Sequence, residues 1–338
     1  MLSSLSRIAL GLLVLSGVST KAKDEAGEDS LQGMIEKTVP LRTHTLAAPY
    51  VDSDLQNRWW DFGADAIINT NKHVRLTQDK PSQTGWLWSR MPLSVSNFQI
   101  DVEFKVDGKA HNLFGDGFAI WLAKDRGKVG PVFGSVDYFN GLGIFFDTYA
   151  NTRHAFQWPR VTAMLGDGKT AYDNDHDNVG HELAGCSENF RRRDIATKVR
   201  ITYIKGKMLQ VKLHSKKWDQ WTTCFEIPAD LPDSPYIGFS ALTGDVSDNH
   251  DIISVNTFSA VLRPEFRDDA QSPLAEDSTN KGKMGGRKGK AARETKSSAG
   301  AAAWFLFVLK IIGLLAFIAF AVAAYRTWVA QKKSRRNW

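Results

Sequence analysis

Between Asn97 and Val106 the chain alternates without a break. Phe98, Ile100, Val102, Phe104 and Val106 are apolar, while Asn97, Gln99, Asp101, Glu103 and Lys105 are polar or charged. Successive side chains of a strand point to opposite faces, so a period of two predicts a strand with one buried and one wetted face. A strand of that kind needs a second layer to cover it. Lys198–His214 reads as two more strands around the turn Lys205-Gly206-Lys207, with Ile201 and Tyr203 answering Leu209, Val211 and Leu213. Phe118–Leu122, Leu142–Phe146, Tyr236–Ala241 and Ile252–Leu262 add further strands, and no long helical periodicity occurs before residue 302. The expectation is an all-β sandwich over residues 36–263.

The flanking segments have a different character. Residues 1–19 carry Arg7, the apolar run Ile8–Leu15 and the small residues Ser16–Ser19, the layout of a signal peptide. Residues 20–35 are charged and aperiodic, which predicts a flexible leader. Residues 264–301 are rich in Ser, Gly and Lys and lack apolar heptads, so a flexible luminal stalk is expected rather than a coiled-coil stem. Residues 302–325 are apolar except for Lys310, and about 20 such residues cross the hydrocarbon of a bilayer. A single transmembrane helix is expected there, with 326–338 as a cytosolic tail. Basic residues flank that span on both sides, so the signal peptide, not charge asymmetry, orients the bulk of the chain to the lumen.

The net charge of +6 resides beyond the sandwich. From residue 264 onward there are 14 basic and 6 acidic residues, which leaves 29 basic and 31 acidic ones in 1–263. A slightly acidic globular part gives a nucleic-acid partner no electrostatic support. The two cysteines, Cys186 and Cys224, both fall in the part expected to be translocated, where an oxidising lumen favours their pairing. No Asn-x-Ser/Thr sequon occurs.

The run Phe145-Phe146-Asp147-Thr148-Tyr149-Ala150-Asn151 sets oxygen donors beside an aromatic ring: the Asp147 carboxylate, the Tyr149 backbone carbonyl and the Asn151 amide. Calcium takes roughly 6–8 oxygen ligands, and Asp173-Asn174-Asp175-His176-Asp177 offers the missing charge. Alone, the heptad reads first as a polar loop closing a buried strand. Gly115-Asp116-Gly117 places a carboxylate between glycines, Thr243-Gly244-Asp245-Val246-Ser247-Asp248 forms a second acidic loop, and Ser82 lies ahead of Trp86-Leu87-Trp88. Glycines admit close backbone approach and carboxylates accept from vicinal hydroxyls, which suits a shallow sugar pocket with Tyr149 as a stacking face. The tryptophans, among them Trp59, Trp60, Trp218 and Trp221, are expected in core or edge packing. The histidines lack zinc-like spacing, and Arg191-Arg192-Arg193-Asp194 is expected as solvated surface.

From Leu41 to Leu262 a series of motifs resembles the L-type (legume-like) lectins, and most of all the vesicular integral-membrane type of early-secretory-pathway cargo lectin. The motifs are Val74-Arg75-Leu76-Thr77, Trp88-Ser89-Arg90, Gly115-Asp116-Gly117, Gly130-Pro131-Val132-Phe133-Gly134, Phe146-Asp147-Thr148-Tyr149, Glu182-Leu183-Ala184-Gly185-Cys186 and the segment from Thr243 to Asp251. The resemblance implies a legume-lectin-like jelly roll. It places Ca2+ ligands at Asp147, Tyr149, Asn151 and Asp177, and mannose contacts at Ser82, Asp116, Asn151, Gly244, Asp245 and Val246. Asn174 falls where the family commonly has a sugar-contacting histidine, with His176 nearby. Carboxylates with ordinary pKa values near ~4 then leave binding flat between about pH 7.4 and 6. Phe145 stands where plant relatives place an acid for a second metal.

The implied function is a calcium-dependent receptor for high-mannose N-glycans on cargo glycoproteins, acting in transport between the endoplasmic reticulum, the intermediate compartment and the Golgi or in glycoprotein quality control. Arg335, Arg336 and Trp338 are implied tail sorting signals for vesicle-coat proteins. One alternative is a degenerate lectin-fold adaptor without sugar binding. Another is a glycoside hydrolase, which needs two carboxyl groups roughly 5–9.5 Å apart. Ile144-Phe145-Phe146-Asp147 has no alternating Glu, so no enzyme is expected.

Overall fold

A computed structural model describes residue 31 and residues 33–267. The expected signal peptide, the stalk beyond Arg267, the span at 302–325 and the tail residues Arg335, Arg336 and Trp338 lie outside them. No helix among the described residues is long and apolar enough to cross a membrane.

The described residues form fifteen strands. The first eight are β1 (Ile35–Pro40), β2 (Trp60–Ala64), β3 (Ile67–Asn69), β4 (His73–Thr77), β5 (Thr84–Ser89), β6 (Asn97–Asp107), β7 (Gly117–Ala123) and β8 (Asn140–Asp147). The rest are β9 (Arg160–Asp167), β10 (Ala184–Ser187), β11 (Thr197–Ile204), β12 (Met208–His214), β13 (Thr222–Ile227), β14 (Tyr236–Leu242) and β15 (Asn249–Leu262). One sheet runs β13-β12-β11-β6-β15-β4-β3, with β1 also on β15; the other runs β10-β9-β8-β7-β14-β5-β2.

Burial follows the sequence period. On β6, Phe98, Ile100, Val102, Phe104 and Val106 are buried and their odd-numbered neighbours are not. They join Phe118, Ile120 and Leu122 of β7 and Leu142, Ile144 and Phe146 of β8 in the core between the sheets. The centre of the seven-stranded sheet is also covered outside, where Ala119, Trp121 and Phe145 pack against Val132, Phe133, Phe139 and Tyr172. Burial on both faces explains why β7 and β8 read as unbroken apolar runs rather than alternations. Phe145 has Tyr172 at 4.8 Å and the Trp121 ring edge-on at 5.5 Å, so this position presents a packed ring where an acid would be a ligand.

The β11–β12 hairpin turns where expected. Gly206 has φ of 69°, and Tyr203 faces Leu209 while Ile201 faces Val211. The leader ends earlier than expected. Leu31 is buried with Ile204 and Leu262, and Ile35 opens β1, because the apolar end of the eight-stranded sheet needs that cover. Trp60, Trp88 and Trp121 lie in the interior, whereas Trp218 is 68% exposed and departs from the packing expectation.

Cys186 and Cys224 are joined, their Cα atoms 5.3 Å apart. The bond links β10, one edge of the seven-stranded sheet, to β13, one edge of the other, and so closes one side of the sandwich.

Antiparallel register assembles the candidate site. Gly117 pairs with Asp147 on one side and Leu242 on the other, and Leu242 pairs with Thr84. The start of β7, the end of β8, the end of β14 and the start of β5 therefore meet at one end of the sheet. Gly117 has φ of 148°, and a Cβ there would strike the Phe146 carbonyl, so only glycine lets the strands meet this closely.

Candidate functional site

Asp147 ends β8 and is 5% exposed. Its Oδ1 accepts from the Tyr149 N–H at 2.9 Å. Burial pushes the carboxyl up to about 8; the Tyr149 N–H opposes this and the nearby Asp177 charge adds to it. Asp177 is 4% exposed and gathers the facing loop. Its Oδ1 accepts from Asn151 N at 3.0 Å and Asn151 Nδ2 at 2.8 Å. Its Oδ2 lies 2.7 Å from His154 Nε2.

Two buried carboxylates, a primary amide and the Tyr149 carbonyl make an all-oxygen donor set. Asp177 pairs with His154, and a hard cation with oxygen ligands fits the donors that the chain offers. A half-turn of the Asn151 amide would aim its oxygen where Nδ2 now points.

The residues expected to contact sugar are brought to the same end of the sheet. Asp116 is half-buried, and burial raises its carboxyl to about 6 against a hydrogen bond from the Gly244 N–H, with Asp245 adding to the rise. Its backbone carbonyl accepts from both Thr148 N at 2.9 Å and Thr148 Oγ1 at 3.0 Å, which ties it to the residue beside Asp147. A Cβ on Gly244 would stand 3.2 Å from Asp116 Oδ2, so glycine lets this backbone lie close to the carboxylate. A Cβ on Gly115 would touch both Val246 and Tyr149, so these two side chains flank the same glycine. Ser82, with φ of 56°, donates its N–H to the Gly244 carbonyl at 3.0 Å. Ser82, Asn151 and Asp245 are solvent-exposed.

Asn174 is less engaged. Its side chain is exposed, and its link to the site is its backbone carbonyl, 3.5 Å from Asp177 N. His176 turns away from this group: its Nδ1 lies 2.9 Å from Asp173 Oδ2, with the side chain 69% exposed.

Three residues escaped the sequence reading. His154 reaches Asp177 and stacks on Trp158 at 5.1 Å. Arg191 is 6% exposed and departs from the expected solvated patch, whereas Arg192 and Asp194 are exposed as expected. It holds Asp248 through two bonds of 2.7 Å, donates to the Ala110 carbonyl at 2.8 Å and lies 3.7 Å over Phe114. Asp79 accepts from Lys109 N and Ser247 Oγ, joining the loops that carry Asp116 and Val246. No local pattern marks these residues, because their hydrogen-bonding side-chain partners, Asp177, Asp248 and Ser247, lie 23 to 168 positions away.

Comparison with known proteins gives concordant matches. A model described as "Legume-like lectin family" matches residues 37–264. An L-type lectin-like domain-containing protein of Schizosaccharomyces pombe is 34% identical over 309 residues, 90% of this chain and 93% of its own length. The human vesicular integral-membrane protein VIP36 is 36% identical over 305 residues, 88% of this chain and 83% of its own. Among solved structures, the VIP36 exoplasmic/lumenal domain in its Ca2+/Man2-bound form is 39% identical with a TM-score of 0.63, covering 67% of this chain and 92% of that one. The Emp47p carbohydrate recognition domain, 18% identical with a TM-score of 0.55, covers 66% and 97% and is a likeness of fold alone.

Proposed function

This chain belongs to the legume-like lectin family, and we propose that it is a non-catalytic, calcium-dependent receptor for high-mannose N-glycans on cargo glycoproteins. Asp147, the Tyr149 carbonyl, Asn151 and Asp177 hold the ion, whose charge fixes the Asn151 loop. Asp116 and Asn151 take vicinal hydroxyls of mannose, the Gly244–Val246 backbone and Ser82 line the pocket, and Tyr149 gives the ring a face. Asp245 lies at the exposed rim, and so does Asn174. The observation that carries this reading is the junction of Asn151 with Asp177 at the sheet end where Asp116 and Gly244 also meet. It is further supported by relatives solved with Ca2+ and Man2, and with Ca2+ and Man3GlcNAc.

The setting proposed is the early secretory pathway, with the lectin domain luminal, residues 302–325 spanning the membrane, and Arg335, Arg336 and Trp338 read by vesicle-coat proteins. A second reading, an adaptor that binds protein surface and not sugar, is favoured by the exposed Asn174 at the position of the family's histidine. Glycan-array binding of the full chain, with calcium and with excess chelator, decides between them. High-mannose binding that requires calcium is expected. Binding that survives the chelator overturns calcium dependence, and no glycan binding in calcium leaves the adaptor.

A further inference from the structure

The two loops of the candidate calcium site, 148–159 and 173–178, are joined by hydrogen bonds that converge on one carboxylate. Among the described residues, Asn151 N and Nδ2, Thr152 N and His154 Nε2 all end on Asp177. Asp177 sits at φ of 52° and Asn178 at 56°, so the loop delivering this carboxylate has left-handed backbone at two non-glycine residues. Its oxygens are not equivalent. Oδ1 faces the Asn151 amide at 2.8 Å, whereas Oδ2 has its shortest contact, 2.7 Å, with His154.

We propose that His154 is a positioning residue for calcium: its Nε2–H fastens Asp177 Oδ2 so that Oδ1 stays turned toward Asn151 and the ion. The assignment rests on the calcium reading given above. For a carboxylate to accept from Nε2, that nitrogen must carry the hydrogen, so the bond selects the tautomer as well as the orientation. The imidazole is itself held. It stacks on Trp158 with ring centres 5.1 Å apart and planes 21° from parallel, and its side chain is 11% exposed. Trp158 Nε1 is buried without a hydrogen-bond partner. The stacked pair thus backs Asp177 through His154. Groups that orient metal ligands in this way change metal affinity roughly 10–100-fold when removed.

The variant His154→Phe keeps the ring on Trp158 and deletes the donor, and His154→Gln restores a donor without the ring. The full chain and both variants are titrated with calcium chloride by calorimetry, and their melting temperatures are taken in chelator. Expected for His154→Phe is a calcium Kd weaker by roughly 10–100-fold, with an unchanged melting temperature in chelator and near-parental mannose binding at saturating calcium. His154→Gln should recover part of the calcium affinity, which a purely structural role for the ring would not produce. If His154→Phe fails to fold, His154→Ala is read by the same criteria. A parental calcium Kd retained in the donor-less variant overturns the assignment alone. A parental chain that takes up no calcium overturns the functional reading and the assignment with it.

Discussion

Arg191 and Asp248 form a buried, two-pronged ion pair, both contacts 2.7 Å, beneath the loops expected to hold the sugar. The same guanidinium reaches the Ala110 carbonyl and covers Phe114, so one side chain braces the Asp116 and Gly244–Val246 loops together. Arg191→Leu leaves Asp248 without its partner at 0% exposure and should cost about 3–5 kcal/mol, as removal of one member of a buried pair does. Arg191→Lys should also weaken mannose binding, since an ammonium cannot reproduce the fork. Urea denaturation and mannose titration check both; a loss under 1 kcal/mol would show that the pair does not brace the loops.

Asp147→Ala, or chelation, should abolish mannose binding while the sandwich stays folded. Burial holds the Asp147 carboxyl protonated up to about 8, so calcium must displace that proton. Calcium affinity should therefore fall as pH drops below about 8. The sign for stability is the reverse. Without calcium the folded chain keeps a proton that the unfolded chain has lost above its ordinary carboxyl value, so stability declines as pH rises toward about 8. Calorimetry in two buffers of different ionisation heat counts the protons released; none released between pH 6.5 and 7.5, a window about one unit below that value, would contradict this.

Asp116→Asn should be severe for sugar and mild for calcium, because it weakens a charged acceptor without removing an ion ligand. The Asp116 carboxyl stands at about 6, which revises the expectation of flat binding drawn from Asn174. The ionised form is the better acceptor, so at calcium kept saturating across the range mannose binding should weaken as pH falls through about 6, and the Asp116→Asn profile should be flat. His176→Ala should change nothing, its ring being engaged with Asp173. Surface plasmon resonance across that pH range tests all three chains.

Replacing Cys186 and Cys224 by alanine opens a link across 38 residues between edge strands. The entropic model puts the loss near ~4 kcal/mol. Denaturant midpoints of the two forms measure it, and equal midpoints would show that the sandwich closes without the bond.

Changing Arg335 and Arg336 to serine should shift the chain's distribution away from the endoplasmic reticulum. Quantitative imaging of the tagged full chain is the check, and an untouched distribution would exclude retrieval through these residues.

Local period determined much of this protein from sequence alone. Alternation over Asn97–Val106 and Lys198–His214 foretold strands, because a sheet with one wet face writes its burial into every second residue. The order of short motifs likewise carried the family and the candidate ligands Asp147, Asn151 and Asp177. β9 escaped that reading: its first residue, Arg160, is buried against Glu182, a partner 22 positions away that no local pattern announces. The tertiary structure alone decided that Arg191 is interior while Arg192 is exposed, that His154 rather than His176 meets Asp177, and that burial lifts Asp116 toward neutral pH. These are consequences of antiparallel register and desolvation, which bring residues 23 to 168 positions apart into contact and exclude water between them. Periodicity reports which face of a strand is covered; it carries no record of what covers it.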